Sequence, residues 1–214
     1  MFTPYPIGSS RRRQTPALSD RARALLVEVE RDWRMVTGAE PAEIDPVAGP
    51  VDLSEALPYC FVLGRNGEGV LRVRVAGQRL HEILRHDPRG APFGTFFADD
   101  ARETVDSLLE TVLETPAIME LPLVAYRGLT RRPVSASLLA LPLRDGDGRI
   151  AKIMGALVPS ETEIGGASLR FDLATDRILR HEPLEHGLVE RRRANRTVTQ
   201  SDARPRLRLV VDNG

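Results

Sequence analysis

Two pairs of histidines are the residues whose type could support metal binding or proton transfer. His81 and His86 are five positions apart, and so are His181 and His186. Metal ligands on one helical face are about three or four residues apart, and no cysteine or third histidine lies near either pair. The spacing therefore favours solvated or capping roles, and we predict no metal site.

Covalent chemistry has few candidate residues. The single cysteine, Cys60, lies in a predicted strand, where a small buried thiol is the ordinary role. One cysteine cannot form an internal disulfide, which fits a reducing compartment. The sequence has no nucleophile, base and orienting residue in a catalytic pattern, no glycine-rich phosphate loop and no catalytic pair of carboxylates. We therefore expect a protein that works by binding and is not an enzyme.

A small-molecule pocket could be lined by residues from several predicted elements. Ser135 and Ser137 alternate with apolar residues, so both project from one face of a predicted strand. Such hydroxyl groups can anchor a ligand in a pocket, or they can face water. A packed core would explain the apolar candidates equally well. Those apolar candidates are Phe93, Phe97, Met119, Leu121 and Met154.

Arginines cluster near the two ends of the chain, at 11–13, 191–193 and 204–208, although the whole chain balances 30 basic residues against 30 acidic ones. Such clusters can contact the phosphates of nucleic acid. These clusters lack the interleaved aromatic residues that stack on bases. Solvated tails are the simpler interpretation, and docking onto an acidic partner protein is a further one. We do not expect nucleic acid to be the main partner.

Composition predicts disorder at both ends of the chain and the cellular location of the protein. Residues 1–17 are predicted to be a disordered arm, and residues 181–214 an arginine-rich, mostly disordered tail. No apolar run reaches the roughly 18 residues that a membrane span needs, and no signal-peptide core follows the basic N-terminal stretch. We expect a cytoplasmic protein without a membrane partner.

Residues 18–53 are predicted to form an amphipathic helix and a proline-rich connector. Ser19 can cap the start of the helix, and Gly38 can end it. The apolar stripe of the helix needs a partner surface, which is either the protein's own sheet or the same helix of a second copy. We predict a homodimer through this stripe, with the candidate interface residues Leu25, Leu26, Val29 and Trp33.

Residues 54–160 have the pattern of one α+β domain. A helix capped by Asp99 is predicted over Asp100–Glu114. Pro122 and the pair Arg72 and Arg74 indicate two edge strands, because proline cannot donate to a ladder and charges protect open edges. A small hairpin extension over residues 161–180 is predicted from Ser168–Leu173 and Arg177–Leu179. The other predicted elements are the strands Tyr59–Leu63, Val70–Ala76, Ala117–Tyr126, Val134–Leu143 and Ile150–Val158, and a short helix over Gln78–Leu84.

Three short segments resemble the PAS domain, in particular a bacterial subfamily of largely stand-alone PAS proteins. They are Leu57–Leu63, Arg74–Leu80, and Leu138–Leu143 taken with Ile153–Ala156; Asp32-Trp33 and Ile44-Asp45-Pro46 fit the same subfamily. The resemblance implies a five-stranded antiparallel sheet of order 2-1-5-4-3 with helices on one face, preceded by the N-terminal amphipathic helix. The second and third strands would then be the edges.

The resemblance implies a sensory or regulatory module that binds a small molecule or a signalling protein in bacterial signalling or transcriptional control. Some PAS domains hold haem through a histidine of the long helix, and flavin-binding ones use a cysteine in a helix after the second strand. The predicted helix over Asp100–Glu114 has no histidine, and Cys60 lies in the first strand, so no cofactor is predicted. The alternative function is a nucleic-acid-associated accessory protein that uses the arginine-rich arms.

Overall fold

The computed structural model describes residues 15–38, 52–127, 131–145, 149–161, 167–177 and 179–184. Its helices are α1 (Asp20–Thr37), α2 (Leu53–Ala56), α3 (Gln78–Leu84) and α4 (Asp99–Glu114), with 3-10 turns at Leu57–Tyr59 and Phe93–Phe96. Its strands are β1 (Cys60–Arg65), β2 (Leu71–Ala76), β3 (Ala117–Ala125), β4 (Val134–Arg144), β5 (Ile150–Pro159), β6 (Asp172–Leu173) and β7 (Arg180–Pro183).

One antiparallel sheet joins all of these strands. Its order is β2-β1-β5-β4-β3, which confirms the predicted α+β fold and the predicted strand order. The central strand β4 is buried along Val134–Pro142, and only its last two residues are partly or fully exposed, so both of its faces are covered. A strand buried on both faces needs a layer of structure on each side. The sheet therefore requires more than the helices that were expected on one face.

The inner face of the sheet packs against α3, α4 and the turn at Phe93–Phe96. Five of the six phenylalanines of the chain lie in this core, namely Phe61, Phe93, Phe96, Phe97 and Phe171. From α4, the residues Val105, Leu109 and Val112 are fully buried against the sheet. The opposite, outer face is covered by α1 and α2.

Helix α1 packs on the protein's own sheet. Its side chains Leu25, Leu26, Val29 and Trp33 are 3%, 4%, 0% and 2% exposed, and they share one buried cluster with outer-face residues of β3, β4 and β5. The predicted dimer interface at these four residues is therefore corrected, because a side chain already buried within one chain has no surface left for a second copy. Of the two partners that the stripe could have, the structure has the sheet.

The caps of α1 agree with the sequence. The Ser19 Oγ accepts a hydrogen bond from the Ala22 backbone N–H, and Gly38 ends the helix with a left-handed φ of 74°. The buried indole N–H of Trp33 donates to the Pro142 carbonyl at 3.1 Å. This bond joins two of the segments that carry the family resemblance.

The helix α4 differs from the prediction, because Asp99 is its first residue and the cap position is Ala98, whose side chain makes no capping bond.

The chain after β5 differs most from the prediction. β6 and β7 do not form a hairpin with each other; both pair with the outer edge of β3, at Leu123–Val124 and Ala117–Glu120 respectively. The predicted disordered tail from residue 181 therefore begins inside β7. Thr15, assigned to the disordered arm, is buried and its backbone N–H donates to Asp176 Oδ2 at 2.9 Å. The rest of the predicted arm and tail, and the connector over 39–51, lie outside the described residues.

Pro122 lies where the pairing changes from β7 to β6. The Pro122 carbonyl accepts a hydrogen bond from the Ala174 N–H at 2.9 Å, on the outer side of β3. In a strand the N–H and C=O of one residue point to the same side, so the missing N–H of proline would also point outward. The proline costs no bond to β4. It divides the outer edge of β3 into two short docking segments.

Gly155 allows β4, β5 and β1 to approach closely. A Cβ at this position would lie 1.9 Å from the Leu139 carbonyl oxygen and 2.7 Å from Phe61 Cζ. Gly77 has the same role at the end of β2, where a Cβ would meet the Pro58 carbonyl oxygen at 2.3 Å. Both glycines belong to the segments that resemble the PAS domain, and close backbone approach explains why a side chain does not fit there.

We predict that Gly155→Ala destabilises the protein by about 3 kcal/mol, because the added methyl group displaces backbone as well as side-chain atoms. The matched control is Gly67→Ala, where a Cβ would have nothing within 4 Å. The control is expected to change stability by less than about 0.5 kcal/mol. Urea unfolding followed by circular dichroism measures both, and equal unfolding midpoints for the two variants would contradict the close approach.

We predict that Val29→Glu lowers the free energy of unfolding by about 3 kcal/mol or more, because an unpaired carboxylate would be buried between α1 and the sheet. Val36→Glu on the same helix is the control, since Val36 is 71% exposed. Urea unfolding gives the stability, and sedimentation velocity gives the oligomeric state. A Val29→Glu protein that is as stable as the wild type but has lost a dimer would support helix pairing instead.

Candidate functional site

The sheet separates the residues predicted to line one pocket. Phe93, Phe97, Met119 and Leu121 belong to the inner core and are at most 1% exposed. Met154 belongs to the outer-face core beneath α1. Ser135 and Ser137 alternate with the inner-face residues of β4, so they also lie on the outer face. The candidate residues therefore do not form one pocket.

The two serines satisfy hydrogen bonds of the fold. The Ser135 Oγ donates to the Ala17 carbonyl at 3.1 Å and lies 2.7 Å from the Ser160 Oγ. The Ser137 Oγ donates to Glu120 Oε1 at 2.7 Å. Both serines are buried, so neither of the two predicted placements, ligand anchor or water-facing residue, describes them. Ser135 instead helps to fix the chain that enters α1.

Aromatic side chains fill the space between the inner face and the helices. The Phe93 ring centroid lies 4.7 Å from that of Phe61, 5.3 Å from that of Phe96 and 5.6 Å from that of Phe97. These distances are those of directly contacting aromatic rings. The packed-core interpretation of the apolar candidates is the one that the geometry supports.

A segment beyond β5 completes this core. Phe171 is fully buried, and its backbone N–H donates to the Phe96 carbonyl while its carbonyl accepts from the Ala98 N–H, both at 2.9 Å. Leu169 is also buried, and its N–H donates to the Ile83 carbonyl at 2.9 Å. Sequence reasoning did not place these residues in the core, because their partners lie about 70 to 85 residues earlier in the chain.

Cys60 is buried in the fold, and His81 and His86 lie near other groups of the protein. Burial raises the pKa of the Cys60 thiol to about 12, so the reactive thiolate is disfavoured. The His86 ring Nδ1 lies 3.0 Å from the Leu84 carbonyl, and the His81 Nδ1 lies 3.8 Å from Asp87 Oδ1. Within the described residues, no three His, Cys, Asp or Glu side chains are grouped to hold a metal ion. His186 lies outside those residues.

An open cleft of about 430 Å³ lies beside the end of α4, where β1 and β5 meet the β4–β5 turn. Its lining includes the bases Arg65, Arg74 and Lys152 and the acids Glu114 and Asp145. The Arg65 guanidinium is already paired with Glu110 at 2.9 Å. Charges of both signs therefore line the cleft, and it has no marked preference for an anionic or a cationic ligand.

Four charged side chains form a closed ring between α1 and β7. The Glu30 carboxylate accepts from the Arg34 Nε at 2.9 Å and from Arg180 at 2.6 and 2.9 Å. Glu182 in turn accepts from Arg34 at 2.6 Å and pairs with Arg180. The Glu30 and Arg34 side chains are only 10% and 7% exposed. The ring attaches the end of the described chain to a buried part of its first helix.

The ring favours the charged forms of Arg180 and Glu182. Hydrogen bonding to Glu30 and then to Glu182 raises the pKa of Arg180 above its ordinary value, although burial opposes this. Burial alone would raise the pKa of Glu182, but the hydrogen bonds and charges of Arg34 and Arg180 outweigh it, so the pKa lies below its usual value. The spacing of Glu30 and Arg34 is a readable signal for a helix ion pair, whereas nothing in the sequence pairs them with β7.

The arginine clusters that prompted the nucleic-acid alternative lie outside the described residues. Among the helices that are described, none is long and apolar enough to cross a membrane. Among the described residues, the open cleft and the α1–β7 ring are two of the charged features that the structure places.

Comparison with known proteins gives a family. A family model described as PAS domain matches residues 24–158, from α1 to β5, which is more than half of the chain. No curated protein matches the chain. A solved structure of an RNA-binding light-oxygen-voltage receptor is 11% identical with a TM-score of 0.38, and the match covers 56% of this chain but only 37% of the receptor chain, too distant a likeness to bear on function. The family match spans the helix and the sheet described above, and the chain belongs to the PAS domain family.

Proposed function

We propose that this PAS module is a regulatory protein of bacterial signalling or transcriptional control that acts by recognising another protein. It holds no cofactor and turns over no substrate in this proposal. The filled interior is the main support, because the space between the sheet and its helices is occupied by Phe93, Phe96, Phe97 and Phe171. Where the described interior is filled by side chains, the surface is the place at which the module receives or transmits a signal.

Small-molecule binding is the weaker form of the same function. A ligand pocket is a concave, partly apolar space with a few converging polar groups. The inner core contributes apolar side chains that already contact one another, and the hydroxyl groups expected to orient a ligand point to the other face of the sheet. A ligand inside would have to displace packed side chains, which costs stability.

Self-association remains a prediction and requires a surface other than the buried stripe of α1. The end of α1 presents Met35 and Val36, which are 69% and 71% exposed, and β2 presents Val75, which is 52% exposed. Single exposed apolar residues are common on monomeric proteins, so they do not assign an interface. We therefore place the proposed function on recognition of a different protein.

We predict that benzene at about ten times its dissociation constant raises the unfolding midpoint of Phe97→Ala by about 3 °C and leaves the wild type unchanged. The substitution should cost about 3–5 kcal/mol and leave a cavity lined by apolar groups, which can bind benzene. Met119→Ala, with a smaller expected cost, serves if Phe97→Ala does not fold. Differential scanning fluorimetry measures the shift, and a wild type stabilised by benzene would contradict the filled interior.

The functional proposal itself is tested by isolating the tagged full chain from bacterial cells under non-denaturing conditions and weighing it by native mass spectrometry. We expect the mass of the chain without a small molecule, and a complex with a second protein whose removal leaves the fold intact. A small molecule bound in a one-to-one ratio and released on unfolding would overturn recognition of a protein as the primary activity.

A further inference from the structure

We propose that the outer edge of β3 over Ala117–Glu120 is a strand-docking surface and that β7 is its built-in occupant. The partner that replaces β7 is an extended segment of another protein that carries an arginine and an acid two residues apart. This inference rests on the proposed function, recognition of another protein, and names the surface and the chemistry of that recognition.

The edge is a complete hydrogen-bonding template. The Leu184 N–H donates to the Pro116 carbonyl at 2.9 Å, next to the pairs Ile118 with Glu182 and Glu120 with Arg180. Hydrogen-bonded pairs alternate along an antiparallel ladder, so the N–H groups of Ile118 and Glu120 point to β7. Pro122 then interrupts the edge. The docking surface is therefore about four residues long, which suits a short extended peptide.

β7 has few side chains to hold it there. Arg180 and Glu182 are partly exposed, His181 and Pro183 are exposed, and none of the four belongs to either apolar core. The segment around β6 is different, because Leu169 and Phe171 are buried in the inner core. β7 is thus held by ladder bonds, by the charged ring and by the partly buried Leu184, and it can leave while β6 keeps the core closed.

The charged ring specifies what can take its place. Ile118 packs in the outer-face core beneath α1, and Glu182 is its register partner, so Glu182 and Arg180 both face α1. There they meet Arg34 and Glu30, whose side chains are about nine-tenths buried. Glu30 and Arg34 also pair with each other, but each has hydrogen-bonding capacity that β7 uses, because Arg180 donates to Glu30 and Glu182 accepts from Arg34. An occupant that offers arginine to Glu30 and an acid to Arg34 keeps these charge-assisted bonds, whereas one that reverses the two charges meets like charges.

β7 lies outside the region that matches the family model, which is consistent with a strand that can separate from the rest of the domain. The matched family region ends at residue 158, within β5, so β6 and β7 lie beyond it. In the matched region alone, β3 is an outer strand of the sheet with an open edge. Open edges are sites of strand addition unless they are covered, and here the chain covers its own edge.

The test uses the full chain with the charges of β7 exchanged, R180E together with E182R, which leaves the net charge unchanged. The exchanged strand places an acid against Glu30 and a base against Arg34. We expect the amide hydrogens of Ile118 and Glu120 to exchange at least about tenfold faster than in the wild type. The amides of Met119 and Leu121, which alternate to the β4 side, are the internal control and should keep their protection.

A matched rescue separates charge complementarity from general damage. Adding E30R and R34E to the exchanged chain rebuilds the ring with all signs reversed, and the protection of Ile118 and Glu120 should return. If R180E with E182R unfolds the whole sheet, Glu182→Gln replaces it as the milder variant, with the same amides as readout. Unchanged amide hydrogen exchange at Ile118 and Glu120 in the exchanged chain, or no recovery of their protection in the quadruple variant, would overturn the role of the ring.

Docking of a second molecule is measured with a fluorescent peptide of the sequence Leu-Arg-His-Glu-Pro-Leu, which is that of residues 179–184. We expect it to bind the R180E and E182R chain at least about tenfold more tightly than the wild type, whose edge is occupied. The peptide Leu-Glu-His-Arg-Pro-Leu is the control and should bind neither. Equal binding of the two peptides to the exchanged chain would overturn the proposed recognition.

Three further results separate this inference from the functional proposal. A wild-type dimer in which β7 passes between copies would make the second copy the occupant and overturn the assignment to a different protein. Peptide binding that fails while the isolated chain still carries a protein partner would overturn the β3 edge alone. A tightly bound small molecule in the isolated chain would overturn the functional proposal, whatever the peptides do.

Discussion

The fold depends on burying both faces of the central strands. β4 and β5 carry apolar residues toward the inner face and, in alternation, toward the outer face, so a single layer of helices would leave half of them in water. α3 and α4 cover one side, and α1 is needed for the other. At about 1.5–3 kcal/mol for each large side chain removed from water, the stripe of α1 contributes a substantial part of the stability. The helix is therefore part of the domain and not a separate dimerisation device.

The chain after β5 closes the positions that the family core leaves open. Leu169 and Phe171 complete the inner core, β6 and β7 cover the edge of β3, and Asp176 and Arg177 hold the backbone of Thr15. The three contacts differ in kind: burial holds the middle of the segment, while hydrogen bonds and ion pairs hold its end. The stability gained from burying apolar side chains does not depend on charge. The stability gained from a partly exposed ion pair falls when one of its two charged residues is replaced. The end of the segment is thus the part of the domain best suited to exchange with a partner.

The interior and the surface lead to the same functional conclusion by different routes. Inside, contacting phenylalanine rings occupy the space in which a ligand would be enclosed. Outside, the buried side chains of Glu30 and Arg34 lie where the proposed occupant of the β3 edge would meet them. The Cys60 thiol is buried and donates to the Ala56 carbonyl, and the His86 Nδ1 lies 3.0 Å from the Leu84 carbonyl. Both features support the proposed recognition of another protein at the surface.

The sequence by itself determined α1, α3, α4 and β1 to β5, and the resemblance to the PAS domain implied the order of these strands in the sheet. Local alternation, helical spacing, the Ser19 cap, the Gly38 stop and the short segments resembling the PAS domain were sufficient for the fold, because each is set by residues close together in the chain. The partner of the α1 stripe, the separation of Ser135 and Met154 from Phe93 by the sheet, and the pairing of β7 with β3 were decided only by the tertiary structure. Each of these depends on contacts between distant residues: Arg180 reaches Glu30 across 150 positions. Periodicity shows that a face is apolar or charged, but only the packed chain determines what that face meets.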